Sequence, residues 1–176
     1  IEGGAVAFSD HKLYEKLYNL KNFGIRNEEL VVAVGANAKM NEFCAIMGLC
    51  NLKYIAQAID NRKYRYKYYL EKLKRFFEEA EQTTKNYAYL PIIVEERYAL
   101  SRDELYEEFR REDIYVRKYF YPITADEACF RNKYKKDALE NARMLSKHVL
   151  ILPLYEQLEI EQIDRVVQTI QKNSLK

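Results

Sequence analysis

Leu13, Leu17 and Leu20 recur at intervals of three and four, the spacing that collects side chains on one face of a helix. Ser9 or Asp10 is available ahead of them as an N-cap, and Gly24 as the residue that ends the element. Before this helix, Ala5 to Phe8 alternates as a short strand after a Gly pair. A second apolar run, Leu30 to Val34, leads through Gly35 to Asn37, which is placed to cap a helix with Met40, Phe43, Ile46 and Met47 on its apolar face. That helix is expected to be buried. From Asn51 to about Glu81 the pattern stays helical with neither Pro nor Gly, and Leu52, Ile55, Ile59, Tyr66, Leu70 and Leu73 fall on one side. This is the longest expected element.

After the polar stretch EQTTKN the period changes, and Tyr89 to Glu95 alternates as a strand. A domain boundary is therefore expected at the end of the long helix, separating residues 1–80 from 81–176. Ser101 followed by Glu104 forms a capping box ahead of Leu105, Tyr106 and Phe109, which predicts a helix start. Ile114 to Tyr121 reads as a strand stopped by Pro122. Val149 to Leu154 is a short apolar segment whose Pro153 suggests an edge strand or an extended loop. Helices are expected at 137–146 and at 160–172, the latter with Ile163, Val166, Val167 and Ile170 on its buried face. No repeat of fixed period is visible.

Composition narrows the class. At 176 residues, with 48% hydrophobic and 32% charged residues, the chain is globular in character and suits one domain or a piece of a larger protein. Its opening at Ile1, directly in the run IEGGAVAF, leads us to expect the start of the protein upstream. A net charge of +2 creates no field to recruit nucleic acid or an anionic membrane. No apolar run reaches the ~18 residues of a membrane span. Cys44, Cys50 and Cys129 lack CxxC spacing and suit small buried thiols in a reducing cytoplasm. His11 and His148 stand in no metal-ligand spacing, and no GxSxG, Walker or GxGxxG motif occurs. Generic motifs thus supply neither a metal site nor a catalytic residue.

Two stretches have competing readings. RKYRYKYYLEKLKR, Arg62 to Arg75, mixes basic and aromatic residues as a nucleic-acid or protein-binding helix would. Glu71 and the EEAE that follows dilute that charge, so tyrosines covering a core with solvated Lys and Arg heads is the preferred reading. In VGANAKMNEF, Asn37 is first a helix cap. The alternative is an anion site, because a Gly before free helix N–H groups lets a phosphate approach, and Lys39 in a first turn opposes the helix dipole unless an anion is near.

The series EGGAVAF, LKNFGI, GANAKMNEFCAIMGL with NL, RKYRYKYY, VRKYFYP and LILPLY resembles, in that order, the second half of the DegT/DnrJ/EryC1/StrS family of pyridoxal-phosphate sugar aminotransferases. NFGI, NAKMNEF and RKYFYP look closest to the branch that makes thymidine-diphosphate-linked 3-amino-3,6-dideoxyhexoses. The resemblance implies an α/β chain, the C-terminal part of a type I aminotransferase fold. Residues 1–80 would be the end of a large cofactor domain with a mostly parallel sheet, plus a connecting helix, and residues 81–176 a small α/β domain. It implies a cytoplasmic homodimer with shared active sites, which moves an amino group from glutamate to a nucleotide-linked keto-deoxysugar for surface-glycan or antibiotic sugars. By the family pattern Asn37 reaches the cofactor phosphate of the other subunit, and Arg117, Tyr119 and Tyr121 line the sugar-nucleotide pocket. The Schiff-base lysine of the pattern lies a few residues before EGG, and none of Lys12, Lys16 or Lys21 replaces it. The chain alone is therefore expected to hold no catalytic residue and to be inactive. The alternative is a non-catalytic interaction or nucleic-acid-binding module.

Overall fold

The computed structural model describes residues 2–76, 86–130 and 139–174. The chain divides into two compact units, Ile1–Ile55 and Ala56–Lys176. The expected boundary at 80/81 lies outside the described residues.

In the first unit, α1 (Leu13–Lys21) starts without a side-chain cap; Asp10 instead closes a turn, its Oδ1 accepting from the Lys12 amide at 3.0 Å. Gly24 does end α1, two residues past the C-cap Asn22. Its amide donates to the Asn19 carbonyl at 2.7 Å, and Phe23 and Gly24 both take positive φ, 58° and 77°. A small antiparallel hairpin follows, β1 (Ile25–Asn27) with β2 (Leu30–Val31). The chain then returns along the end of α1: Phe23 N–H donates to Ala36 O, Ala36 N–H to Leu20 O and Ala38 N–H to Lys21 O, at 3.1, 2.8 and 2.9 Å. The strand expected at Ala5–Phe8 does not form: among the described residues no backbone pairs with it, and Val6 is 72% exposed.

The helix after Gly35 is α2 (Glu42–Leu52), and its cap is Asn41, not Asn37: Asn41 Oδ1 accepts from Cys44 N–H at 2.9 Å. Asn37 cannot do this work four residues too early, where its backbone is engaged in a β-bridge with Asn22. Nor is α2 buried. It is apolar all round, yet Phe43 is 80% exposed and no residue of the helix is buried within the chain, since the short hairpin and one other helix offer too little surface to cover it. Asn41→Ala should cost α2 about 1 kcal/mol of local stability, seen as faster amide exchange at Cys44 and Ala45 with α1 unaffected.

The expected single helix from Asn51 to Glu81 is broken. Lys53 N–H and Tyr54 N–H bond back three residues, to Cys50 O and Asn51 O, so the backbone tightens out of α-geometry between α2 and α3 (Ile55–Leu73). A turn carries α3 on to Phe76, and 77–81 lie outside the described residues.

The second unit places helices against a small sheet, β3 (Leu90–Ile93) antiparallel to β4 (Val149–Leu152), with Leu90 opposite Leu152 and Ile93 opposite Val149. The expected edge at Val149–Leu154 is instead flanked on both sides, because Arg117 exchanges two backbone bonds with Ile151, at 3.1 and 2.8 Å. Both main-chain groups of Ile151 are thereby used away from β3, so Pro91 opposite it loses nothing by lacking an N–H. The strand expected over Ile114–Tyr121 shrinks to that bridge at Arg117, since the chain turns immediately afterwards, Tyr121 N–H donating to Lys118 O at 2.8 Å.

The capping box forms as expected: α4 (Arg102–Arg111) opens with Glu104 N–H donating to Ser101 Oγ and Ser101 N–H to the Glu104 carboxylate. The helix expected at 137–146 is α5 (Glu140–His148), two residues longer at its end, with 137 and 138 outside the described residues. The last helix, α6 (Ile160–Lys172), buries Ile163, Val166, Val167 and Ile170 as the spacing requires. These join Tyr66, Tyr69 and Leu73 of α3, Leu90 and Ile92 of β3, Leu105 and Phe109 of α4, and Leu150 and Leu152 of β4 in one core. Two core tyrosines differ: Tyr98 Oη donates to Ile170 O at 2.5 Å, whereas Tyr69 Oη has no hydrogen-bond partner among the described residues and burial pushes its pKa up.

Candidate functional site

Asn37 stands on the segment pinned to the end of α1 by the Ala36 and Ala38 amides. The bridge to Asn22 uses its backbone and leaves the exposed side-chain amide available. Lys39 does not sit in a helix turn, so the dipole argument for an anion there falls. Its Nζ lies 4.7 Å from the centre of the Phe23 ring instead. The hydrogen-bonded backbone on either side of Asn37 presents its side-chain amide as a neutral donor. Lys12, Lys16 and Lys21 are all exposed on or beside α1, and Lys21 Nζ lies 5.1 Å over the Tyr18 ring.

The second unit gathers Arg117, Tyr119 and Tyr121 on one loop. Arg117 is anchored to β4 by its backbone and its side chain is exposed. Tyr119 is half-buried between two aromatic neighbours: Phe120 stacks on it at 4.7 Å with the planes 15° apart, and Tyr89 meets it edge-on at 6.0 Å. Tyr121 lies under the Arg102 guanidinium, 4.6 Å from ring centre to Cζ.

Arg102, Asp103 and Lys118 hold this loop, and nothing in the sequence reading singled them out. Arg102 is 4% exposed, donates to Ser146 O at 2.9 Å, and brings Nε within 2.8 Å of Asp103 Oδ1, though without the alignment of a hydrogen bond. Lys118 Nζ reaches the same carboxylate oxygen at 2.5 Å while lying 4.1 Å over the Tyr106 ring. Partial burial works to raise the Asp103 pKa, but the Lys118 hydrogen bond and the Arg102 charge outweigh it and hold the carboxyl below its ordinary value. The carboxylate thus stays charged at neutral pH and ties both cations to the base of the loop.

The basic helix is occupied otherwise. Arg62 donates to Asn86 O, Arg65 donates to Leu158 O and Asn61 O, Lys72 lies over Tyr68, and Tyr66 and Tyr69 are in the core. These contacts are structural. The cysteines are not buried thiols: Cys44 is half-buried, while Cys50 and Cys129 are exposed. Among the described residues no cluster of three or more His, Cys, Asp or Glu could hold a metal ion, and no helix is long and apolar enough to cross a membrane. His148 Nδ1 donates to Val94 O at 2.9 Å.

This mixed α/β architecture is that of the sugar aminotransferases. It superposes with a TM-score of 0.82 on DesI, solved in the presence of its TDP-sugar product, at 27% identity over 93% of this chain and 43% of that one. The model of the DegT/DnrJ/EryC1/StrS aminotransferase family matches residues 1–171, and the chain belongs to that family. It is 35% identical to a dTDP-4-amino-4,6-dideoxy-D-glucose transaminase of Escherichia coli, over 96% of this chain and 47% of that protein. It is 23% identical to a dTDP-3-amino-3,6-dideoxy-alpha-D-galactopyranose transaminase of Aneurinibacillus thermoaerophilus, over 97% and 46%. The chain spans about half the length of the curated relatives it matches.

Proposed function

We propose that the protein containing this chain is a pyridoxal-phosphate-dependent transaminase that aminates a keto carbon of a dTDP-linked 6-deoxyhexose, with glutamate as donor. The observation that carries this reading is family membership across residues 1–171. The higher identity to the 4-amino relative supports carbon 4 as the site of amination over carbon 3, the position favoured by the short motifs. The amine leaves glutamate, and one water supplies the keto oxygen of the 2-oxoglutarate that remains; the amine replaces the ketone oxygen of the sugar, which departs as water, so that no water is gained or lost overall. Pyridoxal phosphate, when bound, would supply the electron sink for this transfer.

In this reading the Asn37 amide donates to the cofactor phosphate in a cytoplasmic homodimer with shared sites. The Arg117 guanidinium pairs with the diphosphate, and Tyr119 and Tyr121 bound the substrate pocket. None of Lys12, Lys16 or Lys21 takes the Schiff-base role in this reading, and residues 1–80 and 81–176 bind and orient the cofactor and substrates.

The full-length protein mixed with pyridoxal phosphate should show the visible absorbance band of the bound cofactor and form an aminosugar from glutamate and dTDP-4-keto-6-deoxyglucose. Residues 1–176 alone should show neither. A full-length protein without the band would sink the proposal. Asn37→Ala should weaken cofactor binding about ten-fold, the loss of one hydrogen bond to a charged group, with amide exchange at Ala36 and Ala38 unchanged. Unaltered affinity would remove Asn37 from the site.

A further inference from the structure

One carboxylate in the second unit gathers cations that reach both ends of the same loop. Asp103 Oδ1 lies 2.5 Å from Lys118 Nζ and 2.8 Å from Arg102 Nε. Lys118 follows Arg117, whose backbone is fixed to Ile151, and Arg102 covers the ring of Tyr121, whose amide bonds back to Lys118. Both arms converge on Asp103. Two ordinary duties of an acidic residue here leave that convergence unexplained. As a first-turn acid it would offset the dipole of α4, but Ser101 and Glu104 already close that end with a capping box. As an ion pair it would support folding, yet its side chain is 63% exposed, and pairs so open to water contribute little.

We propose that Asp103 is a positioning residue for substrate binding: without touching substrate, it holds Lys118 and Arg102 so that Arg117 and Tyr121 are already in place when the nucleotide-linked sugar arrives. The inference rests on the functional reading above and adds to it a residue outside the pocket. Charge and position predict opposite signs here. Neutralising a carboxylate near a site for a diphosphate makes the local field more positive, so a purely electrostatic role has Asp103→Asn tighten substrate binding. A positioning role has it loosen binding, because the incoming substrate must then order Lys118 and the Tyr121 end of the loop itself. The sign of one measured change therefore separates the two.

The test is steady-state kinetics of the full-length protein with glutamate and dTDP-4-keto-6-deoxyglucose, in the wild type, Asp103→Asn, Asp103→Glu and Glu107→Gln. The last is a control that removes a carboxylate of the same helix, one that faces Arg110 at 3.9 Å. Asp103→Asn should raise the KM of the sugar nucleotide about three- to ten-fold and leave kcat and the glutamate KM within about two-fold of wild type. Asp103→Glu keeps the charge and should recover most of the loss, while Glu107→Gln should show none. Exposure of the Asp103 side chain means that the melting temperature should hardly move. An unchanged or lowered sugar KM in Asp103→Asn would overturn the proposal. Failure to fold, or a rise in both KM values together, would make the role structural and overturn it as well. If the wild type forms aminosugar and Asp103→Asn leaves the sugar KM as it was, the positioning role alone fails. If the wild type forms none, the functional reading falls and the role of Asp103 with it.

Discussion

Gly24→Ala should free the end of α1 from the segment that carries Asn37, and amide exchange at Phe23, Ala36 and Ala38 should rise about a hundred-fold. Two costs combine. The backbone at Gly24 has φ 77°, where an L side chain costs roughly 1–2 kcal/mol. A Cβ there would also stand 1.7 Å from the Ala33 carbonyl oxygen and 2.6 Å from its carbon, a collision with main chain that no rotamer relieves. To make room, Ala33 must move, and with it the bond from Val32 N–H to Gly24 O and the returning segment at Gly35, which itself packs against Gly24 and Leu20. Overpacking of this kind adds about 1–3 kcal/mol, so the total is about 2–5 kcal/mol. Cofactor affinity of the full-length variant should fall further than for Asn37→Ala, because the donor is displaced rather than simply removed. Exchange rates equal to wild type would mean that the tight turn is not maintained in solution.

Phe109→Ala should remove about 3–5 kcal/mol from the second unit. The ring is fully buried on α4, which packs against β4 and α6, and it belongs to the core cluster that holds Leu105, Leu150 and Ile163, all with no exposed surface. Those neighbours belong to elements fixed by a capping box, a sheet register and a long amphipathic face, so collapse into the void is restricted and the cavity penalty is retained. Denaturant unfolding should show a lower midpoint with an unchanged slope. A loss below about 1 kcal/mol would mean that the core is looser than this packing.

The elements that could be read from sequence are those whose signals are local. α6 has its apolar residues on one stripe, and α4 has its Ser101–Glu104 box, so periodicity and capping chemistry suffice. The errors come where a distant partner decides. Asn37 and Asn41 are both plausible caps by residue type. Only the bridge between Asn37 and Asn22, across fifteen residues, takes Asn37 out of contention and leaves Asn41 to receive the Cys44 amide. The run IYVRKYFY has strand composition, yet β4 offers a pairing position only to Arg117. In the candidate site, Arg117, Tyr119 and Tyr121 were suggested by family resemblance. Their supports were hidden because Arg102 and Asp103 look in sequence like ordinary first-turn residues of a capped helix, and Tyr89 lies thirty residues from the ring it meets.

The exposure of α2 bears on how the chain responds to heat. The heat-capacity change of unfolding follows the apolar surface newly opened to water, and in the first unit Phe43, Leu49, Leu52 and Val34 are already 65% or more exposed before any unfolding occurs. Nearly all of the curvature in the stability of the chain with temperature is therefore concentrated in the second unit, and the first should melt gradually, with little calorimetric signal, unless other surfaces cover its helix.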